Sequence, residues 1–288
     1  MFIAKIVFIL TLATLGQAFK RAMVSDQKDF SYDFSDPFGP QNWGRISKTC
    51  DGNRQSPINL PLRTTLVRPR HPLTINDLTA IPASIDIMND GHGAKIMFNF
   101  PHSRQATVTG GPLRGEYIIE NAHWHWGEND FAGSEHLLDG RRFSAELHVV
   151  TYNSKYGSLT EAVNEKDGLA VLGVFYELSH DEFSDFPITP FLHNIIHPKS
   201  SCTEDKDVFT ILDVVKTTDF NFLSYKGSLT TPNCDETVTW MVSTTPLKIS
   251  SHDLHELRKL RDDKGDLILR NYRPIQNRNF RTIRCFLN

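Results

Sequence analysis

Three histidines stand at spacings that allow them to bind one metal ion. His123 and His125 are two residues apart in a segment that alternates in polarity, and His148 lies in a second such segment. Successive side chains of a β-strand point to opposite faces, so His123 and His125 share one face. If the strand of His148 is their neighbour, three imidazole nitrogens meet with one direction open. Three protein ligands with an open position are typical of a catalytic zinc site.

Two polar residues are placed to hold these histidine rings. Asn121 precedes His123, and Glu146 precedes His148, in each case by two residues and on the same predicted strand face. A zinc-bound histidine usually donates its second N–H group to a carboxylate or carbonyl oxygen. The sequence therefore predicts Asn121 and Glu146 as the partners of the ligand histidines. Histidine pairs at this spacing also occur on exposed strands that bind no metal, which is the competing interpretation.

The strands that would position these residues are visible as period-two alternation. It predicts strands at Ser84–Met88, Ala94–Phe100, Glu116–Trp126, Phe143–Tyr152 and Thr237–Ser243. Leu169–Leu178 is almost continuously apolar, which predicts a strand buried on both faces. Short helices are predicted at Ser158–Asn164, at Pro190–Ile196 and after the capping box that begins at Ser250. No linker divides the chain, so we expect one mainly β domain with peripheral short helices.

The two ends and the composition limit the classes of function. The 288 residues carry a net charge of −3 and no basic stripe, which argues against a nucleic-acid partner. Lys5 precedes an apolar run that ends near Gly16-Gln17-Ala18, the pattern of a secretory signal peptide. We therefore expect a signal peptide at residues 1–18 and a secreted domain at 19–288. The run is too short for a membrane anchor.

Four cysteines occur in the chain. They are Cys50, Cys202, Cys234 and Cys285. In an exported protein an even count suggests disulfides, but four cysteines allow three pairings and spacing does not choose among them.

A series of short motifs resembles the alpha class of carbonic anhydrases. In family order the motifs are Gln55–Ile58, Asp90–His92, Gly110–Leu113, Asn121–Gly127, Gly133–His136, Ala145–His148, Asp167–Gly173, Gly227–Pro232 and Asn271–Pro274. That family has a single domain built on a large, mostly antiparallel, twisted sheet. The resemblance implies reversible hydration of carbon dioxide to bicarbonate and a proton by attack of zinc-bound hydroxide. His123, His125 and His148 correspond to the zinc ligands.

The resemblance also implies catalytic roles for residues outside the ligand set. Thr230 matches a threonine whose hydroxyl accepts a hydrogen bond from zinc-bound hydroxide and donates one to Glu135. His92 matches the histidine that exports the proton, a task suited to a group that titrates near neutral pH. Tyr32 matches the tyrosine that orders the relay waters. Taken singly, each residue would be interpreted as an ordinary turn or loop side chain.

Carbon dioxide is uncharged and needs an apolar wall beside the reacting oxygen. The resemblance assigns this wall to Val150, Val171, Leu229, Thr231, Val238 and Trp240, for which plain core packing is the alternative.

Cys50 and Cys234 match a disulfide of secreted family members. A pairing of Cys202 with Cys285, a covalent dimer and free thiols remain open. We expect a monomer, with a homodimer as the alternative.

Two departures and two alternative functions accompany this resemblance. Asn121 stands where many relatives carry glutamine, and Lys95 adds a charge near the cavity mouth.

One alternative function is that of a non-catalytic secreted binding or matrix protein of the same family. Such relatives typically lose a zinc ligand, whereas all three are intact here. The other is a cupin-like metal protein, but Glu128 is too close to His125 to be its acidic ligand.

Overall fold

The computed structural model describes residues 30–63, 66–68, 72–101, 105–181, 183–205, 209–216 and 221–287. The predicted signal peptide, residues 1–18, lies outside the described residues. The strands are β1 Asn59–Leu60, β2 Leu66–Arg68, β3 Leu73–Asn76, β4 Ser84–Asn89, β5 Ala94–Asn99, β6 Thr107–Gly110, β7 Tyr117–Trp126, β8 Leu137–Leu138, β9 Ala145–Asn153, β10 Leu169–Leu178, β11 Ser201–Asp205, β12 Phe222–Gly227, β13 Val238–Ser243, β14 Leu247–Ile249 and β15 Arg284–Phe286. The helices are α1 Trp43–Ile46, α2 Leu159–Ala162, α3 Ile211–Val215 and α4 Ser251–Leu257.

Most of these strands form one large mixed sheet. Its main path runs β11-β4-β5-β7-β9-β10-β13-β12-β15-β2, and β3, β6 and β14 pair at its sides. Most neighbours are antiparallel, whereas β10 is parallel to β13 and β14, and β15 is parallel to β2. β1 and β8 form a separate two-stranded sheet. The predicted fold class, a mainly β protein with a large central sheet and short peripheral helices, is confirmed.

The strands that the alternation predicted all form, with ends shifted by at most two residues. The helix after Ser250 is α4, and its capping box is formed as predicted. The Ser250 hydroxyl accepts the N–H of Asp253 at 3.1 Å, and the Asp253 carboxylate accepts the N–H of Ser250 at 3.2 Å. Among the described residues, no helix has both the length and the apolar content needed to cross a membrane.

The large sheet separates two apolar clusters, and this arrangement determines where the site lies. Every residue of β9 is buried. Leu147 and Val149 pack into the larger cluster, whereas Val150 and Tyr152 pack into the smaller one on the opposite face. Because side chains alternate along a strand, His148 points toward the smaller cluster. The candidate site therefore occupies the face of the sheet that carries the smaller cluster.

The cysteines resolve into one disulfide and two thiols. Cys50 is bonded to Cys234, as the family resemblance implied. Cys202 and Cys285 are free. Cys202 lies on β11 at one end of the sheet path, and Cys285 lies on β15 next to the other end. Strands are about 4.8 Å apart and a disulfide needs Cα atoms within about 7 Å, so the suggested pairing of Cys202 with Cys285 is wrong.

Candidate metal centre

Two neighbouring strands bring the three histidines together. β7 and β9 are antiparallel, and their register places His123 directly opposite His148 and His125 opposite Glu146. One ligand nitrogen from each histidine can be chosen so that all three lie within 4.8 Å of one another. Nε2 of His125 and Nδ1 of His148 are 3.0 Å apart. The sheet register therefore brings the three imidazole rings to one place on the sheet.

The remaining nitrogen of each β7 histidine has an acceptor that fixes the ring. Nδ1 of His123 lies 3.1 Å from the side-chain oxygen of Asn121, the partner that the sequence predicted. Nδ1 of His125 donates to the backbone carbonyl oxygen of Asn271 at 2.7 Å. Both rings consequently present Nε2 toward the point of convergence. The shorter amide of Asn121 thus reaches the imidazole directly.

Glu146 connects the third histidine to a chain of buried hydrogen bonds. One carboxylate oxygen of Glu146 lies 2.8 Å from Nε2 of His148 and 2.7 Å from Nδ1 of His136, and the other accepts the N–H of His136. The chain continues from His136 to the Tyr225 hydroxyl and then to Ser56. Burial opposes ionisation of Glu146, but the charges and hydrogen bonds of His136 and His148 outweigh it and hold its pKa well below the usual value.

The donor set fits a zinc ion. In each ring one nitrogen contacts Asn121, Asn271 or Glu146, and the other is available to a metal. The available nitrogens are Nε2 of His123, Nε2 of His125 and Nδ1 of His148. Burial, reinforced by the neighbouring histidines, holds the pKa of His123 well below its usual value, and that of His148 is lowered in the same way. Metal ligation requires such neutral rings. Three neutral nitrogens with one side open form a catalytic rather than a structural zinc site.

The carboxylate of Glu135 lies close to the ligand nitrogens of His125 and His148, and one of its oxygens has no hydrogen-bond partner. Its Oε1 accepts the backbone N–H of Arg273 at 2.6 Å. Its Oε2 is buried without a hydrogen-bond partner, 3.7 Å from Nε2 of His125 and 3.9 Å from Nδ1 of His148. The expected hydrogen bond from the Thr230 hydroxyl to Glu135 is not formed; Thr230 is buried in the loop after β12. The orphaned oxygen marks a polar position next to the ligand nitrogens.

The residues expected to move protons line the open side of the histidine cluster. A cavity of about 80 Å³ lies there. Its lining includes Tyr32, His92, Lys95, His123, His125 and Thr231. The ring of His92 stacks on Phe30 with centroids 3.9 Å apart and planes at 16°. Burial lowers the pKa of His92, and burial raises the pKa of Tyr32 well above its usual value, so that its hydroxyl stays protonated.

The side chains expected to form the apolar wall lie in the cluster on the same face of the sheet as His148. Val150, Val171, Val238 and Trp240 belong to the smaller apolar cluster, and Leu229 packs against it. The register pairs Val171 with Val150 on one side and with Trp240 on the other. The rings of Trp240 and His148 have centroids 4.7 Å apart. These side chains form core, as the alternative interpretation predicted, and none of them lines the described cavity; their role as a substrate wall stays a prediction.

Asn271 holds the site in a way that the sequence did not reveal. Its side-chain oxygen accepts the N–H of Trp126, and its amide nitrogen donates to the carbonyls of Trp124 and His92. Its own carbonyl accepts the N–H of His125. The only available signal was its place in the Asn271–Pro274 motif, which carried no assigned role.

Comparison with known proteins agrees with this geometry. Residues 38–286 match the sequence model of a family described as eukaryotic-type carbonic anhydrase. Carbonic anhydrase 7 of Mus musculus and that of Homo sapiens are each 35% identical over 257 residues, which cover 86% of this chain and 94% of each relative. Carbonic anhydrase 1 of Mus musculus is 34% identical over 257 residues, covering 86% and 95%. The chain is therefore a member of the eukaryotic-type, or alpha, carbonic anhydrase family, which uses zinc, and its three histidines are positioned to hold that ion.

Proposed function

We propose that the protein catalyses the zinc-dependent, reversible hydration of carbon dioxide to bicarbonate and a proton. The observation that carries this proposal is the convergence of three histidine nitrogens, from two adjacent strands, beside an apolar wall. When bound there, zinc lowers the pKa of a water ligand and supplies a nucleophile near neutral pH, a property for which carbonic anhydrases are the standard example. The relatives named carbonic anhydrase 7 and 1 support the same reaction.

The residues of this chain would divide the remaining tasks. Val150, Val171 and Trp240 offer an uncharged surface for carbon dioxide next to His148. Glu135 and Thr230 are buried polar groups that would orient the reacting oxygen through hydrogen bonds. Leu229 and Val238 would extend this apolar surface, and Thr231 lines the cavity that contains His92.

His92 would carry the proton from the cavity to bulk buffer. It lines the cavity together with Tyr32, and an imidazole can accept and release a proton near neutral pH. The hydroxyl of Tyr32, which stays protonated, can hydrogen-bond to waters on this route. If His92 is the relay, His92→Ala slows turnover in weak buffer and little in concentrated buffer. An equal loss in both buffers would contradict this role.

A non-catalytic member of the family is the competing function. The intact set of three histidines, each with its second nitrogen held by an acceptor, favours the enzyme. The decisive experiment measures carbon dioxide hydration by stopped flow and zinc content by mass spectrometry for the mature protein, with and without a chelator. His123→Ala is compared with His252→Ala, which removes an exposed ring on α4. Zinc-loaded wild-type protein without hydration activity would overturn the proposal.

We further propose that the protein is secreted after removal of residues 1–18. The charged start, the apolar run and the small residues that follow support a signal peptide. The Cys50–Cys234 disulfide is typical of proteins that mature in an oxidising compartment. We expect the mature protein to be a monomer. Expression in cultured eukaryotic cells, with N-terminal sequencing and sizing of protein from the medium, tests all three statements.

A further inference from the structure

An ion pair lies in the cavity wall between the proposed proton relay and the metal ligands. Nζ of Lys95 is 3.0 Å from a carboxylate oxygen of Asp90, and the two side chains are 28% and 24% exposed. Both residues line the cavity that contains His92 and His123. Ion pairs on open surfaces usually contribute little to stability. This pair is half-buried at the entrance to a reaction site, so its charge can influence which ions enter.

The fold places the two charges with little freedom. Asp90 begins the turn between β4 and β5, and its second carboxylate oxygen accepts the N–H groups of His92 and Gly93 at 3.1 Å each. Lys95 is the second residue of β5, and the sheet register places it directly opposite His123. The carboxylate is thus fixed by the turn, and the ammonium group is fixed by the strand and by the carboxylate.

The charges of Lys95 and Asp90 change the pKa of His92, which lines the same cavity. Burial is the main cause of the low pKa of His92; the negative charge of Asp90 opposes that decrease, and the positive charge of Lys95 adds to it by a smaller amount. An anion that enters the cavity would be attracted by the ammonium group of Lys95 and repelled by the carboxylate of Asp90.

We propose that Lys95, held by Asp90, is a specificity-determining residue that attracts anions into the metal cavity, and that Asp90 limits this attraction. The inference rests on the proposed function, because bicarbonate is the anionic product of that reaction. Too strong an attraction would retain the product, and too weak an attraction would disfavour the reverse reaction. The pair balances these two demands through charge rather than through contact with the metal.

The test uses two substitutions that change the net charge of the cavity in opposite directions. Lys95→Gln leaves an unpaired carboxylate, whereas Asp90→Asn leaves an unpaired ammonium and keeps an oxygen for the two turn N–H groups. Calorimetric titration of zinc-loaded protein with thiocyanate measures anion affinity without turnover. We expect Lys95→Gln to weaken thiocyanate binding about threefold to tenfold, and Asp90→Asn to tighten it by a similar factor.

Two further variants separate electrostatics from structural damage. The double variant Lys95→Gln, Asp90→Asn restores the net charge and should bind thiocyanate nearly as the wild type does. Lys248→Gln, which removes a lysine paired with Glu177 outside the cavity, should leave binding unchanged. The differences should shrink in high salt, because exposed charges are screened over about 10 Å at 0.1 M.

Bicarbonate dehydration provides the second readout. Lys95→Gln should raise the KM for bicarbonate, and Asp90→Asn should lower it. If the protein hydrates carbon dioxide but both single variants shift thiocyanate affinity in the same direction, or by less than twofold, the inference is overturned and the proposed function stands. If the variants shift thiocyanate affinity as expected but the wild type does not hydrate carbon dioxide, the proposed function fails and the anion-attracting role of Lys95 stands.

Discussion

The floor and the rim of the cavity are built by different means. The cavity floor, defined as His123, His125, His148 and Glu146, belongs to two paired strands whose register sets every position. The cavity rim, defined as Phe30, Tyr32 and the turn 90–93, is assembled from a turn and an N-terminal segment. Ladder hydrogen bonds hold the floor, whereas ring stacking, an ion pair and a nearby disulfide hold the rim.

This contrast separates two kinds of constraint. Moving a floor ligand requires a change of strand register, which would transfer a whole set of side chains to the wrong face. Moving a rim residue requires only the loss of one stacking contact or of one tether. The floor should therefore decide whether the protein binds zinc, and the rim should adjust proton export and anion affinity. The following predictions test that division.

The largest effect is expected from a floor ligand. His148→Ala removes one of three nitrogen donors and should lower carbon dioxide hydration about a thousandfold or more, because the remaining site cannot hold and activate the metal. Stopped-flow rates and zinc content give the measurement. His255→Ala, which removes an exposed ring on α4, is the matched control. Full zinc occupancy in His148→Ala would show that the floor does not depend on this ligand.

The next effect concerns the tether of the rim. The Cys50–Cys234 bond joins residues 184 positions apart, so its removal frees a long loop in the unfolded chain. Replacing both cysteines by serine should lower the free energy of unfolding by about 2–5 kcal/mol. Guanidinium unfolding measures the change, and Cys202→Ser, at a free half-buried thiol, should cost less than about 1 kcal/mol. Loss of zinc from the folded double variant would contradict the separation of floor and rim.

A smaller effect is expected from the carboxylate behind the floor. Glu146→Gln removes the charge that holds His148 and His136, and should weaken zinc binding about 10-fold to 100-fold. Competition with a chromophoric chelator measures the affinity. Glu177→Gln, at a half-exposed carboxylate on β10, is the control. An unchanged zinc affinity in Glu146→Gln would mean that strand register alone orients His148.

The smallest effect lies at the rim. Burial disfavours the charged ring of His92, so exposing the ring should raise its pKa toward the usual value. Phe30→Ala removes the stacked ring and should raise the His92 pKa by less than about one unit, measured by proton NMR titration. Phe38→Ala changes an exposed ring of the same segment and should leave it unchanged. If the pKa of His92 falls in Phe30→Ala, burial by the Phe30 ring is not the cause of the low pKa of His92.

The floor could be predicted from the sequence because it depends on local periodicity. Alternation fixes which side chains share a face, so His123, His125 and their partner Asn121 could be placed on one surface before the fold was known. That His148 belongs to the neighbouring strand was a hypothesis that the register of β7 and β9 confirms. Short strands such as β11 and β15 were not predicted, since a few residues carry too little pattern.

The rest depended on contacts between distant parts of the chain. No rule of spacing connects Asn271 with His125, because the acceptor is a backbone carbonyl that every residue possesses. The stacking of Phe30 on His92 likewise joins segments that are far apart in sequence. The suggested Cys202–Cys285 bond failed for the same reason, because strand order decides the distance between thiols. Composition and motif matches contain no information on that order.

Asn271 joins floor and rim, and this has an evolutionary consequence. Its side chain bonds to the backbone of β7 and to the carbonyl of His92, while its carbonyl holds His125. A substitution there would disturb ligand geometry and the relay turn in a single mutational step. Metal affinity and proton export are therefore genetically coupled at Asn271, whereas Phe30 stacks on the relay ring of His92 and its ring contacts among the described residues include no ligand histidine.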